Sequence, residues 1–274
     1  MDTSRDRSLS DLPDERLAAE VLAGARRRWA GAAGLFILVM CGWELAVRSL
    51  DVPPHFLPSP SLIGAELVDQ FRAGVLARHF LVTALEMVAG FLAAAVLGIA
   101  LAALVDRSRW LRALVQPYIV IMQATPKVAL APFLVIWFGF GVGSKIANAA
   151  LVAFFPIFVN TLVGFSSVSV RVLDLMAVLR ARPRHVLWKA KVPHALPYIF
   201  AGLEIGILMS LIGAVVGEFV SSTAGLGYLI ANWNFQLKTA AAFAALTMLV
   251  LLGTASYAAV LFVKRRVVFW VGKT

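Results

Sequence analysis

Polar and apolar positions in this chain separate into blocks. Six apolar runs, at about residues 29–47, 80–105, 113–140, 146–165, 198–219 and 240–263, are divided by short stretches that hold most of the charge. Each run covers the ~20 residues that a helix needs to cross a bilayer. None shows the strict apolar/polar alternation of an outer-membrane barrel strand. The pattern predicts an all-α, polytopic membrane bundle of about six transmembrane helices. It is organised as a polar N-terminal tail over residues 1–28, one transmembrane domain over 29–270 and a short C-terminal tail over 271–274.

Composition supports this reading. Hydrophobic residues make up 61% of the 274-residue chain and charged residues only 15%, with a mean hydropathy of +0.85; soluble domains use roughly 45–50% apolar residues. The net charge of +10 finds no aromatic-interleaved basic domain to serve, so nucleic acid is not an expected partner. It fits membrane topology instead. With both termini in the cytoplasm, the inside segments hold 19 of the 25 lysines and arginines and the outside segments hold 5, with Lys127 left inside a span. Short cytoplasmic loops carry that excess. The first apolar run begins only at Trp29 and leads into "ELAVRSLDVPP" without a small-residue cleavage site, so the N-terminal tail is read as retained rather than as a secretory signal. The expected location is a plasma or inner membrane.

The longest cytoplasmic stretch, about residues 166–196, is patterned. Val172, Leu173, Leu175, Met176 and Leu179 fall at helical spacings. "RARP" then breaks the run, and Pro183 suits the first turn of a second helix. Val186, Leu187 and Ala190 share a face of that helix, with Arg184, Lys189 and Lys191 around it, and Pro193 and Pro197 are expected to end it before the fifth span. A short helix, a turn and another short helix are predicted under the membrane. Such a pair serves either as an interfacial segment facing anionic headgroups or as a docking element for a cytoplasmic partner; the pattern allows both.

Polar groups inside spans mark a pathway or an internal pair. Lys127 lies between Pro126 and Pro132 in the long third run, where prolines bare backbone carbonyls. It either lines a path or pairs structurally, with Glu86 of the second span as the expected partner. Glu218 stands near the outer end of the fifth span and leads into "FVSSTAGLGYLI". There Gly225 and Gly227, beside Tyr228, permit backbone shapes or close approaches denied to other residues, in a packed gate or in an ordinary loop. Glu204 is expected among basic neighbours at the cytoplasmic end of that span, and Asn148 and Asn160 are read as interhelical hydrogen-bonding residues.

Catalytic chemistry is thin. His55, His79, His185 and His194 have no metal-ligand spacing, no GxxxxGK[ST] phosphate loop occurs, and Cys41 is alone. No catalytic residue, metal site or cofactor of this chain is expected. An ion-coupled secondary transporter would show an internal repeat or a series of intramembrane acids, and neither stands out; nor does the polar cluster that a membrane-embedded enzyme would need.

The stretch "DLMAVLRARPRHVLWKAKVPHALPYIFAGLEI" resembles the cytoplasmic coupling loop of binding-protein-dependent ABC importer permeases. That loop reads Glu-Ala-Ala, three residues, Gly, nine residues, Ile, one residue, Leu-Pro. With Val192 and Pro193 on Leu-Pro, Asp174, Leu175 and Met176 fall on Glu-Ala-Ala, Arg180 on the glycine and Ala190 on the isoleucine. "TPKVALAPFLVIWFGFGVGSKI", "AFFPIFVNTLVGFSSV", "HALPYIFAGL" and "IGAVVGEFVSSTAGLGYLI" are similar to the subgroup serving nitrate, sulfonate, taurine and pyrimidine-precursor importers, over about residues 58–270. The resemblance implies a type I importer permease that moves a small solute by alternating access. It implies a second copy of the chain, a cytoplasmic ABC ATPase dimer that binds ATP and Mg, and an extracytoplasmic solute-binding protein as partners. Asp174, Met176, Leu179, Arg180, Pro183, Arg184, Val186, Leu187 and Pro193 would couple to the ATPase. Glu86, Pro126, Lys127, Pro132, Asn160, Glu218, Gly225, Gly227 and Tyr228 would line the path or its gate. Arg180 in place of glycine departs from the family pattern, because a left-handed turn there is costlier.

Overall fold

The computed structural model describes residues 14–270; the ends of the two expected tails, residues 1–13 and 271–274, lie outside the described residues. The chain divides into two units, one reaching to Gly64 and one beginning at Ala65. The first holds α1 (Asp14–Ser49), which is continuous from the expected polar tail into the first apolar run. After α1, Glu44 accepts from the Ser61 amide at 3.0 Å and pairs with Arg48 at 2.6 Å, tying the turn back to its own helix. Helix α2 (Pro60–Arg72) starts in this unit and runs into the second.

The second unit is built on α3 (Val75–Asp106), α6 (Val142–Ser166) and α9 (Val192–Ser221). Helix α6 packs along α9 and α3. Water cannot drive helices together within lipid, so small residues that let backbones approach carry the association. Gly213 of α9 is one such contact: a Cβ there would stand 2.7 Å from Ala149 Cα and 2.9 Å from the Asn148 carbonyl of α6. Asn148 Nδ2 donates to that same Gly213 carbonyl at 2.6 Å, and Ser210 of α9 donates to the Met87 carbonyl of α3 at 2.7 Å. Asn148 thus bonds between helices as expected, whereas Asn160 donates to the Pro156 carbonyl of its own helix, four residues back and 2.8 Å away.

Five helices among the described residues are long and apolar enough to cross a membrane, with a sixth span formed by a bent pair. That pair corrects one expectation: the third apolar run is not a single helix. Helix α4 (Arg109–Ala124) ends where Thr125, placed before Pro126, is extended at ψ 128°, the conformation a following proline imposes. A 3-10 turn (Lys127–Leu130) then leads into α5 (Ala131–Phe138), which has Pro132 in its first turn. The two arms make an angle of 85°.

The coupling stretch forms α7 (Val170–Val178), a turn, and α8 (Pro183–His185). The chain then remains helical, through a π turn (Val186–Lys191) into α9. The expected break at Pro193 and Pro197 does not occur. In the π turn the Val192 amide donates five residues back to Leu187, a wider ring, and Pro193 falls in the first turn of α9, where its missing donor costs little. Residues Pro183–Ser221 therefore form one helical rod of 39 residues, about 58 Å long at ~1.5 Å per residue and nearly twice the ~30 Å hydrocarbon core. Helix α10 (Leu226–Phe235) and α11 (Thr239–Val267) complete the bundle, with Leu76, Leu226, Leu229 and Trp233 in a shared core.

Candidate functional site

Residues of interest gather at opposite ends of the bundle, joined by the α8–α9 rod. At the end where α3 and α6 begin, Glu218 of α9 is 1% exposed. Its carboxylate accepts from the Thr83 hydroxyl of α3 at 2.6 Å and from the Gly227 amide at 2.5 Å. Thr83 Oγ1 in turn accepts from the Leu226 amide at 2.8 Å, and His79 Nδ1 accepts from the Gly225 amide at 2.9 Å. The His79 ring stacks on Tyr228 with centroids 5.9 Å apart. The Gly225 and Leu226 amides thus pin the chain after α9 to α3, and the Gly227 amide ties it to Glu218 of α9.

Both glycines in that loop are required by this arrangement. Gly225 has φ 111°, and a Cβ on it would run into the Glu218 carboxyl group; on Gly227 a Cβ would stand 2.7 Å from Glu218 Oε2 and 3.0 Å from the Val215 carbonyl. Glu86 of α3, also 1% exposed, has its Oε2 buried without a hydrogen-bond partner. Lys145, 4% exposed, donates to the Phe140 and Gly141 carbonyls at 3.0 and 3.2 Å. Sequence reasoning placed Lys145 in an outer loop and passed over Thr83 and His79; the structure buries Lys145 in the first turn of α6.

Lys127 stands at the bend of the broken span. Its ammonium lies 4.8 Å from the centre of the Phe155 ring of α6, a cation–π contact. Among the described residues no ion pair joins it to Glu86, the structural partner expected for it. Pro126 and Pro132 frame the bend on exposed positions, and Asn160 lies half-buried further along α6.

At the opposite end, α7 closes with the Ala181 amide donating to Met176 at 3.0 Å and the Arg180 amide to Ala177 at 2.9 Å. This pair of bonds is the Schellman helix stop. Its left-handed position is occupied by Arg180 at φ 49°, the residue aligned with the family glycine. The geometry is kept without the glycine. Asp174, Arg180 and Arg184 are exposed, as are Leu175, Val178, Leu179 and Trp188, whereas Met176, Val186, Leu187 and Pro193 are half-buried. Leu187 packs on the core around Phe158, Phe165 and Ile199. The outward apolar face is thus Leu175, Val178, Leu179 and Trp188. Of these four the sequence marked Leu175 and Leu179 as apolar positions of the helix and only Leu179 as a coupling residue, because a helical wheel does not say which side meets the bundle. Glu204 pairs with Lys264 of α11 at 2.8 Å, a basic neighbour as expected.

Among the described residues no group of three or more His, Cys, Asp or Glu side chains is arranged to hold a metal. A bundle of long apolar helices, with one bent pair among them, defines a multi-pass membrane protein. Residues 94–269 match the family model described as the binding-protein-dependent transport system inner membrane component. A probable ABC transporter permease from Haemophilus influenzae is 36% identical over 78% of this chain and 87% of its own length. A riboflavin transport system permease from Chloroflexus aurantiacus is 33% identical over 94% of this chain and 97% of its own. A formylaminopyrimidine transport permease from Halalkalibacterium halodurans is 34% identical over 82% and 89%. The chain belongs to the inner-membrane permeases of binding-protein-dependent ABC importers, in the subgroup that includes the sulfonate, taurine, nitrate and pyrimidine-precursor systems. It is a transport component rather than a catalytic subunit.

Proposed function

We propose that this permease, as one half of a homodimer, forms the translocation path for a small sulfonate, nitrate-like anion, pyrimidine or aromatic acid. A cytoplasmic ABC ATPase dimer, which holds the ATP and Mg, drives it, and an extracytoplasmic binding protein delivers the solute. Both termini face the cytoplasm, in agreement with the distribution of lysine and arginine. The observation that carries the reading is the unbroken rod Pro183–Ser221: its first turns carry the exposed Trp188, and its last turn carries Glu218. A push on one end is delivered to the other, because a helix does not compress.

The docking surface is the outward face formed by Leu175, Val178, Leu179 and Trp188, 57–80% exposed, with Asp174, Arg180 and Arg184 at its rim; apolar anchors within a charged border are what a partner groove takes up. Met176, Pro183, Val186, Leu187 and Pro193 hold that face against the bundle. Glu218, Glu86, Gly225, Gly227 and Tyr228 form the outer gate, while Lys127 between Pro126 and Pro132, with Asn160 on α6, borders the path. ATP binding moves the path between its two states only if the ATPase contacts them differently. Trp188→Glu tests the docking face: loss of ATPase co-purification, with the permease still inserted and dimeric, is expected. A complex of unchanged stability would exclude that face. Leu187→Glu is the poorer probe, because it perturbs the core first.

A further inference from the structure

Asp106 is an anomaly. It is the last residue of α3, and its side chain is only 3% exposed. A helix C-terminus carries partial negative charge and favours cations, and a buried carboxylate is costly without close partners. Both penalties are met by two cations from other elements. Arg112, in the first turn of α4, bonds Oδ1, and Lys191, at the end of the π turn, bonds Oδ2. Arg112 is the first-turn residue of the broken span that bends at Lys127, and Lys191 belongs to the rod that carries the docking face. One carboxylate therefore joins the end of α3 to the helix that follows it and to the rod 85 residues further along the chain. Beside it lies a cavity of about 840 Å³ lined by Leu173, Met176, Val186, Leu187 and Trp188, which leaves the coupling segment room to move.

We infer that Asp106 is the positioning residue through which displacement of the coupling segment reaches the broken span. This inference rests on the proposed coupling of that segment to an ATPase. When the segment moves, Lys191 is drawn off Oδ2 and Arg112 re-seats on the Asp106 carboxylate, which turns the start of α4, so that the bend at Pro126 shifts in step with the rod. The bridge has a second setting. Arg112 Nε is buried without a partner, so the guanidinium uses one prong of its fork while Lys191 occupies the other carboxylate oxygen. As Lys191 withdraws, Nε closes on the freed Oδ2 and the pair becomes bidentate. Without Asp106 the ATPase still docks, and the rod still moves, but the broken span does not follow.

The test uses the complete transporter, permease with ATPase and binding protein, in liposomes. Asp106→Asn is expected to leave ATP hydrolysis near the wild-type rate and to lower uptake, so that ATP consumed per solute carried rises about tenfold, in the range of such coupling energies. Asp106→Glu, which restores the charge, should recover the ratio. Lys191→Gln leaves the carboxylate held by Arg112 and should raise the ratio as well, with Lys191→Arg restoring it; this pair gives the reading if Asp106→Asn does not accumulate. An unchanged ratio in Lys191→Gln, or hydrolysis and uptake falling together in both neutral variants, would overturn the inference and leave Asp106 a structural ion pair. The wild-type complex is the control for the reading beneath it: if wild-type uptake does not require the ATPase, the proposed coupling itself has failed.

Discussion

Arg180 holds a left-handed backbone position at φ 49° that glycine occupies without strain. A side chain there costs about 1–2 kcal/mol, and glycine returns part of that saving through the freedom it gains when unfolded. Arg180→Gly is therefore expected to slow hydrogen exchange in α7 by a few-fold. Faster exchange would show that the arginine side chain contributes more than its backbone costs. Glu218 makes the opposite prediction. Removing its carboxylate strands the Gly227 amide, at about 1–3 kcal/mol for a buried group left unpaired, and leaves the Thr83 hydroxyl only the longer bond to the His79 carbonyl. Glu218→Ala should lower both thermal stability and uptake, whereas Glu218→Gln, which keeps one of the two acceptor oxygens, should fall between Glu218→Ala and the wild type in each. Gly227→Val should behave like Glu218→Ala, since the new side chain displaces the same carboxylate. At this scale the sequence was readable where backbone geometry dictates residue type: Gly225, Gly227 and the turn at residue 180. It was silent on Thr83, His79 and Lys145, whose partners are backbone groups brought near only by folding.

The spanning helices were legible as elements because lipid demands long apolar runs with satisfied backbones, and the short helix of the coupling stretch was legible from its spacing. Two features were not. Prolines announced strain in the third run, but the 85° bend depends on Thr125 turning extended, which a hydropathy window averages away. Pro193 and Pro197 were read as stops, yet a π turn re-registers the hydrogen bonds and carries the helix through. Packing of α6 on α9 supplies the prediction at this scale. With Ala149 Cα 2.7 Å from where a Cβ on Gly213 would stand, Gly213→Leu must part the two backbones and break the Asn148 bond. Loss of a monodisperse, folded permease in detergent is expected; a variant of wild-type melting temperature would mean that the helices slide at this contact.

For the whole molecule, the rod from Pro183 to Ser221 and the Glu218 cluster at its end make sense as parts of a machine whose power source lies outside the chain. Composition and topology made the membrane class plain, and the importer family rests on motifs spread over most of the length. The relatives named above are described as permeases for different solutes, riboflavin and formylaminopyrimidine among them, so uptake rather than family membership identifies the solute. The decisive measurement is solute uptake and ATP hydrolysis in liposomes holding this permease with and without its ATPase and binding protein. Uptake that requires both partners, and hydrolysis stimulated by the loaded binding protein, is the predicted result. Uptake by the permease alone, driven by an ion gradient, would contradict it.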